Sequence, residues 1–171
     1  FLNIYFFVFV LSFCFLPSFV NAALTDNLSG FWNLNETSGS RADSTDSNTL
    51  TEQGGTVSSA TGVVSNAASF SGSNYLSIND NASLSTGNID FTISGWIYIT
   101  NKTASRVLVS KWNSGVANGR EYDLIYSSSD DRFHFTTSSN GELVEGNLVA
   151  STFGSPSLDT WYFVVAWHDS V

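Results

Sequence analysis

Three oxygen-bearing side chains in one polar loop have the chemistry to hold a metal ion. Asp43, Asp46 and Asn48 lie within residues 43–48, where such side chains recur at short intervals. Carboxylate and amide oxygens are the ligands that a hard cation such as calcium requires. The hypothesis is that Asp43 and Asp46 ligate calcium, with Asn48 as a further donor. Because the loop lacks the fixed length and terminal glutamate of an EF-hand, an ordinary loop of Asx turns with solvated carboxylates is the alternative.

Aromatic side chains beside polar turns are the second group that could bind a ligand. Sugar rings stack on flat aromatic faces, which β-sandwich domains present on a loop or a concave face. Trp112 precedes the polar turn 113–115 and is the first candidate, followed by Trp167 and Tyr126. Packing in the core or in a hairpin is the alternative for Trp112. The sequence therefore predicts ligand contacts at these three aromatic residues and leaves the ligand open.

The two histidines do not belong to a recognisable catalytic set. His134 lies between two phenylalanines of a predicted strand, and His168 ends another. Neither has a neighbouring Cys, His or Ser at the spacing of a zinc site or a nucleophilic triad. Both are therefore predicted to be solvent-facing strand positions. The chain also contains no Gly-rich phosphate loop and no nucleophile elbow.

The elements that must position these side chains are short strands joined by polar turns. The clearest is 90–99, in which Phe91, Ile93 and Ile97 alternate with residues that are also bulky. Bulky residues on both faces predict a strand inside a sheet, covered by a second sheet. Residues 35–48 are predicted to be a loop and 54–66 to be weakly structured. Further strands are predicted at 28–34, 49–51, 67–70, 75–78, 106–112, 121–126, 132–137, 143–149 and 160–167, with a turn at 71–74 and a hairpin turn at 127–131.

This pattern has no helical period longer than a turn or two and no tandem repeat, which predicts an all-β sandwich or barrel. The chain has 171 residues, with six basic and fifteen acidic side chains and a net charge of -9. That balance is a poor match to nucleic acid or to an anionic membrane. The only cysteine of the chain is Cys14, so residues 23–171 are predicted to form one domain without a disulfide.

The first 22 residues form a separate segment. An apolar run over 4–16 is broken by Pro17 and ends in small residues at Ala22, as in a secretory signal peptide cleaved after that residue. A transmembrane helix is the alternative, but the run is too short to span about 30 Å of hydrocarbon. The prediction is therefore a signal peptide at 1–22 and a secreted or cell-surface product. Residue 1 is Phe and no basic residue precedes the run, so the reading frame is expected to be truncated at its start.

Several segments in a fixed order carry a family resemblance. Together the segments resemble the laminin-G-like (concanavalin A-like) jelly-roll domains, over nearly all of 28–169. The resemblance implies a two-sheet antiparallel jelly-roll sandwich, with Trp32, Trp96 and Trp161 at core positions and a structural calcium near the 43–48 loop. It also implies that the domain is C-terminally incomplete here. The segments are 30–36, 38–39, 42–44, 67–72, 75–78, 91–97, 108–111, 122–124 and 161–166.

Glucanases of the resembled fold invite a comparison with residues 121–126. They place three carboxylates on one strand so that nucleophile and acid/base face the cleft together. Here Glu121 and Asp123 are present, but Tyr126 and Ser127 occupy the places that the third carboxylate needs. A retaining mechanism therefore fails on this strand, and the alternative is a strand with Tyr122 and Leu124 directed inward and its charges outward.

The resemblance and the residues together predict a secreted or cell-surface, non-catalytic module that recognises a glycan, with a structural calcium. An adhesion or spacer domain with an extracellular protein as ligand is the first alternative, and it would show an exposed apolar patch. A module of a glycoside hydrolase is the second. The composition predicts no nucleic-acid partner and no stable membrane insertion of residues 23–171.

Overall fold

The computed structural model describes residues 28–45, 48–142, 144 and 146–170. The predicted signal peptide and Asp46 lie outside the described residues. Within them every strand pair is antiparallel and no α-helix occurs, which confirms the predicted all-β class. The strands are β1 (Thr51–Gln53), β2 (Ser58–Thr61), β3 (Asn66–Ser69), β4 (Tyr75–Ser77), β5 (Phe91–Tyr98), β6 (Arg106–Trp112), β7 (Arg120–Ser127), β8 (Arg132–Thr137), β9 (Gly146–Val149) and β10 (Trp161–His168).

Two layers enclose the apolar core. One is the four-stranded sheet β6-β7-β8-β9, and the other is the pair β10-β5. The buried apolar side chains come mainly from β7 and β8, whose residues alternate between the core and the outer face. They form two clusters, Tyr122, Leu124, Phe135 and Ala166 in one and Ile99, Tyr126 and Phe133 in the other.

Strand β5 matches the predicted strand at 90–99, but only one of its faces is covered. Phe91, Ile93 and Ile97 pack against the core clusters. The other face is exposed, and Trp96 on it keeps 52 % of its surface in solvent. The expectation that Trp96 occupies a core position is therefore wrong. The physical reason is that no described element forms a layer over the outer face of β5 and β10.

The N-terminal part of the chain departs most from prediction. Residues 28–34 form no strand, and their only β-type pairing with a described residue is an isolated bridge between Trp32 and Asp43. Residues 54–66, predicted to be weakly structured, contain β2. The predicted strands on either side of the 71–74 turn do not pair with each other, because β3 pairs with β2 and β4 pairs with β1.

Two fully buried polar side chains hold this part together. Arg41 donates from its guanidinium to the carbonyl of Val57 at 2.7 Å. The Asn48 side-chain oxygen accepts from the Asn81 amide at 2.7 Å and from the Ser83 hydroxyl at 3.0 Å. Buried polar groups are stable only when paired in this way. Asn48 therefore joins the N-terminal loop to the segment that leads into β5.

Candidate functional site

Five aromatic side chains lie on the outer face of the strand pair β5 and β10. The register places Trp161 opposite Tyr98 and Phe163 opposite Trp96, with Trp167 further along the same face. Four of these side chains have high exposed fractions, which are 52 % for Trp96, 42 % for Tyr98, 55 % for Phe163 and 67 % for Trp167. We call these five residues the aromatic strip.

The rings of the strip form two cross-strand pairs. The centroids of Trp96 and Phe163 lie 5.3 Å apart with planes tilted by 51°. Those of Tyr98 and Trp161 lie 5.1 Å apart with a tilt of 49°. Same-face residues on a strand repeat every roughly 6.6 Å, so the strip from Trp161 to Trp167 is roughly 20 Å long. That is the length of an oligosaccharide rather than of a single sugar.

The uncharged neighbours of the strip add hydrogen-bonding groups at one end. Thr92 lies opposite Trp167, and Ser94 lies opposite Val165 on the same outer face. None of the side chains on this face is charged. The surface therefore combines flat apolar rings with hydroxyl groups and has no ionic group to pair.

The three aromatic residues predicted as ligand contacts lie in different surroundings. Trp167 belongs to the strip. Trp112 is half-buried at the end of β6, and the Arg120 guanidinium carbon lies 5.9 Å from its ring centroid. Tyr126 is only 1 % exposed, and its hydroxyl donates to Asp131 at 2.8 Å. Burial raises the pKa of Tyr126 to about 12, with Asp131 adding to the rise. Tyr126 therefore contributes packing and presents no face to a ligand.

The predicted metal ligands are described only in part. Oδ1 of Asp43 accepts from the N–H groups of Phe31 and Thr45 at 2.8 and 3.0 Å and from the Thr45 hydroxyl at 2.8 Å. Burial alone would raise the pKa of Asp43, but these donors outweigh it and lower the pKa to about 2. Its Oδ2 is buried without a hydrogen-bond partner among the described residues. No cluster of three or more acidic, His or Cys side chains that could hold a metal occurs in the described ranges.

The two carboxylates of β7 differ in their surroundings. Glu121 lies 2.6 Å from Lys111 and accepts from the Thr86 N–H at 2.5 Å. Burial opposes its charge, but Lys111 and Thr86 outweigh burial and lower the pKa of Glu121. Burial raises the pKa of Asp123. Glu121 is thus neutralised by an ion pair. The core orientation predicted for Tyr122 and Leu124 is confirmed.

The histidines are less exposed than predicted. His134 is half-buried, with its Nε2 at 2.8 Å from Asp130 Oδ2. His168 packs its ring 5.6 Å from that of Phe91. Asp130 covers part of His134 and Phe91 covers part of His168, and neither histidine meets a second catalytic side chain in the contacts described.

The surface has two depressions, and Trp167 of the aromatic strip lines one of them. A groove of about 480 Å³ runs between β8–β9 and β10 and is lined by apolar residues such as Phe133, Phe153 and Leu148. A cavity of about 250 Å³ lies where β7 begins and is lined by Arg120, Glu121 and polar loop residues. The second is the more polar of the two and lies beside Trp112.

Sequence reasoning missed four members of the strip. The alternation over 90–99 had already put Trp96 and Tyr98 on one face, but bulky residues on both faces left open which face the second layer covers. The alternation over 160–167 puts Trp161, Phe163 and Trp167 on one face in the same way. Pairing these two strands would have located the strip.

Comparison with known proteins adds the family. A family model described as the concanavalin A-like lectin/glucanases superfamily matches residues 70–171, more than half of the chain. No curated protein and no solved structure matches the chain. Among the described residues, the structure also has no helix with the length and apolar character needed to span a membrane.

Proposed function

The chain belongs to the concanavalin A-like lectin/glucanases superfamily, and from this premise we propose that it is a non-catalytic module that binds a glycan outside the cell. The single observation that carries the proposal is the aromatic strip. Aromatic faces that remain in water at a cost in free energy are typical of binding surfaces. Pyranose rings offer apolar faces that stack on such side chains, and their hydroxyls can pair with Thr92 and Ser94 at the end of the strip.

Binding without catalysis is supported by the state of the two carboxylates on β7. A glycosidase needs a pair of carboxylates about 5 to 9 Å apart on either side of a bound sugar. Glu121 is held by Lys111 at 2.6 Å, and the third position of the glucanase pattern is Tyr126, which is buried. The remaining carboxylate, Asp123, cannot serve as both nucleophile and acid.

An adhesion role with a protein ligand is the second candidate. Val165, which lies between Phe163 and Trp167 along β10, is 44 % exposed, so the outer face is continuous apolar surface of the kind that protein interfaces use. The hydroxyls at its end and the absence of charged side chains fit both ligands. The glycan is preferred because the exposed groups are mainly flat rings.

A structural calcium at the 43–48 loop is a further part of the proposal. Oδ2 of Asp43, which is buried without a hydrogen-bond partner in the described part of the chain, fits a cation ligand, and Asp46 would supply a second carboxylate. Asn48 fits poorly, because its side-chain oxygen already accepts two hydrogen bonds. Calcium bound there would stiffen the loop next to Trp32. Calorimetric titration of calcium into the full chain tests this, and no heat, or heat unchanged in Asp43→Ala, would reject it.

The glycan proposal is tested by screening the full chain on an array of neutral oligosaccharides and then by calorimetry with the best ligand. Trp167→Ala and Phe163→Ala are each expected to weaken binding by about fivefold, since an aromatic stacking contact contributes on the order of 1 kcal/mol. Val107→Ala is the matched control, because Val107 is 66 % exposed but lies on β6, off the strip.

Two results would contradict the proposal. Silence across the array, combined with capture of a protein ligand that Trp167→Ala abolishes, would transfer the strip to the adhesion role. Glycan binding that both strip variants leave unchanged would separate the activity from the strip.

A further inference from the structure

The cavity at the start of β7 has a lining suited to a sugar ring that carries a charge. Its volume is about 250 Å³, below the roughly 300–1,000 Å³ of pockets for drug-sized ligands, so it suits one ring rather than a chain. Hydroxyl and amide side chains, including Ser85, Asn118 and Ser138, line it together with Arg120 and Glu121. Hydroxyl and amide groups can both donate and accept, as sugar hydroxyls require.

Arg120 is the cation of this cavity, and it has no acidic partner among the residues that the structure describes. The other charge in the lining, Glu121, is compensated by Lys111 at 2.6 Å. No carboxylate lies within ion-pair distance of Arg120 among the described residues. One guanidinium nitrogen donates to the Glu142 carbonyl, and an arginine has five N–H donors in all. Donors therefore remain for an anionic ligand.

The guanidinium and the loops around it are held in place before any ligand arrives. The Arg120 group lies over the Trp112 ring at 5.9 Å, which fixes its orientation by a cation–π contact. Gly141 has a φ of +77°, and a Cβ there would lie 2.4 Å from the Cα of Asn118. The two loops that wall the cavity thus meet through a position that only glycine fits. Such preorganisation reduces the cost of binding.

We propose that this cavity, which we call the Arg120 cavity, binds the carboxylate of a single acidic sugar of the uronic-acid class. The inference rests on the proposed glycan-binding function and gives that function a second subsite, separate from the aromatic strip. The planar guanidinium fork matches a carboxylate in a bidentate arrangement. The Ser and Asn side chains of the lining receive the ring hydroxyls.

The test compares glucuronate with glucose, which differ only in the carboxylate, by NMR titration of the full chain. Glucuronate is expected to bind at least about tenfold more tightly, because hydrogen bonds to a charged group contribute roughly 1.5–3 kcal/mol. Arg120→Gln should remove that preference, and Arg120→Lys, which keeps the charge but loses the fork, should restore it only in part. Arg106→Gln is the matched control, since Arg106 lies on the neighbouring strand and donates to the Ser105 carbonyl.

The outcomes separate this inference from the proposed function. A wild-type chain that binds a neutral oligosaccharide through the strip but shows no preference for glucuronate overturns the inference alone. Loss of glucuronate binding in Trp167→Ala would also overturn it, because the two subsites would not be separate. Tighter binding of a sulfated sugar than of glucuronate would reject carboxylate selectivity. Absence of any sugar binding would overturn both proposals.

Discussion

Tyr126 shows why the type of a side chain does not by itself identify a ligand contact. It is an aromatic residue beside a polar turn, as a sugar-binding residue would be, yet it is 1 % exposed. Its hydroxyl donates to Asp131 at 2.8 Å, and the same carboxylate is 2.9 Å from Lys102. The Asp131 carboxylate therefore joins Tyr126 to Lys102 in the loop that follows β5.

Tyr126→Phe tests this packing role. The change removes one hydrogen bond to a charged group, so the free energy of unfolding should fall by about 2 kcal/mol, while glycan affinity stays unchanged. Urea denaturation measures the first and calorimetry the second. Tyr75→Phe, at a tyrosine that is 56 % exposed, should change neither. Loss of glycan binding without loss of stability would return Tyr126 to the ligand site.

Two aspartates, Asp43 and Asp131, are expected to control how the protein loses stability at acid pH. The pKa of Asp43 and that of Asp131 are each lowered to about 2 from the ordinary 3.8, that of Asp131 by hydrogen bonds from Ser155, Lys102 and Tyr126. Because both pKa values are lower in the folded state, the unfolded chain takes up protons at a higher pH than the folded chain does. Stability is therefore complete above about pH 4 and is lost as the pH falls toward 2.

Melting temperatures measured between pH 5 and pH 2 check this. Asp43→Asn and Asp131→Asn should each flatten the fall, whereas Asp159→Asn, at an exposed turn position, should leave the slope as it is. A slope unchanged in both variants would show that other groups control acid unfolding.

At the level of elements, the alternation along β10 determines which of its residues are needed for stability, because only one face of the strand packs in the core. Ala166 is 7 % exposed and packs in the core cluster with Leu124 and Phe135, while its neighbour Val165 is 44 % exposed on the outer face. Ala166→Asp buries a charge without a partner and should cost more than about 3 kcal/mol or prevent folding. Val165→Asp should cost less than about 1 kcal/mol. Equal losses in chemical denaturation would mean that the assigned faces are wrong.

The long strands could be predicted from the sequence because each has an unambiguous alternation. Strands β5, β6, β7, β8 and β10 all begin and end within one residue of the predicted bounds. The short strands β3 and β4 also lie within one residue of the predicted 67–70 and 75–78, but their pairing could not be predicted because it is not local. The 71–74 turn separates two predicted strands, but β4 pairs with β1, more than twenty residues earlier, with Thr51 opposite Ser77.

The candidate site, too, could be predicted from the sequence only in part. Trp167 and Trp112 could be identified from residue type and flanking turns, but the partners that make them useful come from other strands. The Arg120–Trp112 contact joins β6 to β7 across a register shift, and no local pattern predicts it. Asn48 was expected among metal ligands. Its three hydrogen bonds to Ser29, Asn81 and Ser83 depend on contacts with distant residues, which the sequence of one polar loop cannot reveal.

For the molecule as a whole, Asn48 couples the N-terminal part to the sandwich. The segment it holds, residues 81–83, continues to Leu84, whose carbonyl accepts from the Tyr122 hydroxyl at 3.3 Å. Asn48→Ala leaves buried groups unpaired and should lower the free energy of unfolding by about 3 kcal/mol. Hydrogen exchange should also accelerate at 81–86, beyond the mutated loop. Asn147→Ala, at an exposed position of β9, is the control, and faster exchange confined to 43–50 would contradict the coupling.

The net charge of -9 sets the response of the two sugar subsites to salt. The aromatic strip has no charged side chain, so the affinity for a neutral oligosaccharide should change by less than about twofold between 0.05 and 0.5 M salt, over which the screening length shortens from more than 10 Å to less than 8 Å. The Arg120 cavity holds its ligand through a charge, so the affinity for glucuronate should fall over the same range. Calorimetry of the full chain at both salt concentrations measures the two responses. Because the chain has a net charge of -9, a polyanion such as heparin should not bind at 0.15 M salt. A steep salt dependence for the neutral ligand would mean that ionic groups outside the strip hold it, and tight heparin binding would contradict the local character of the cationic site.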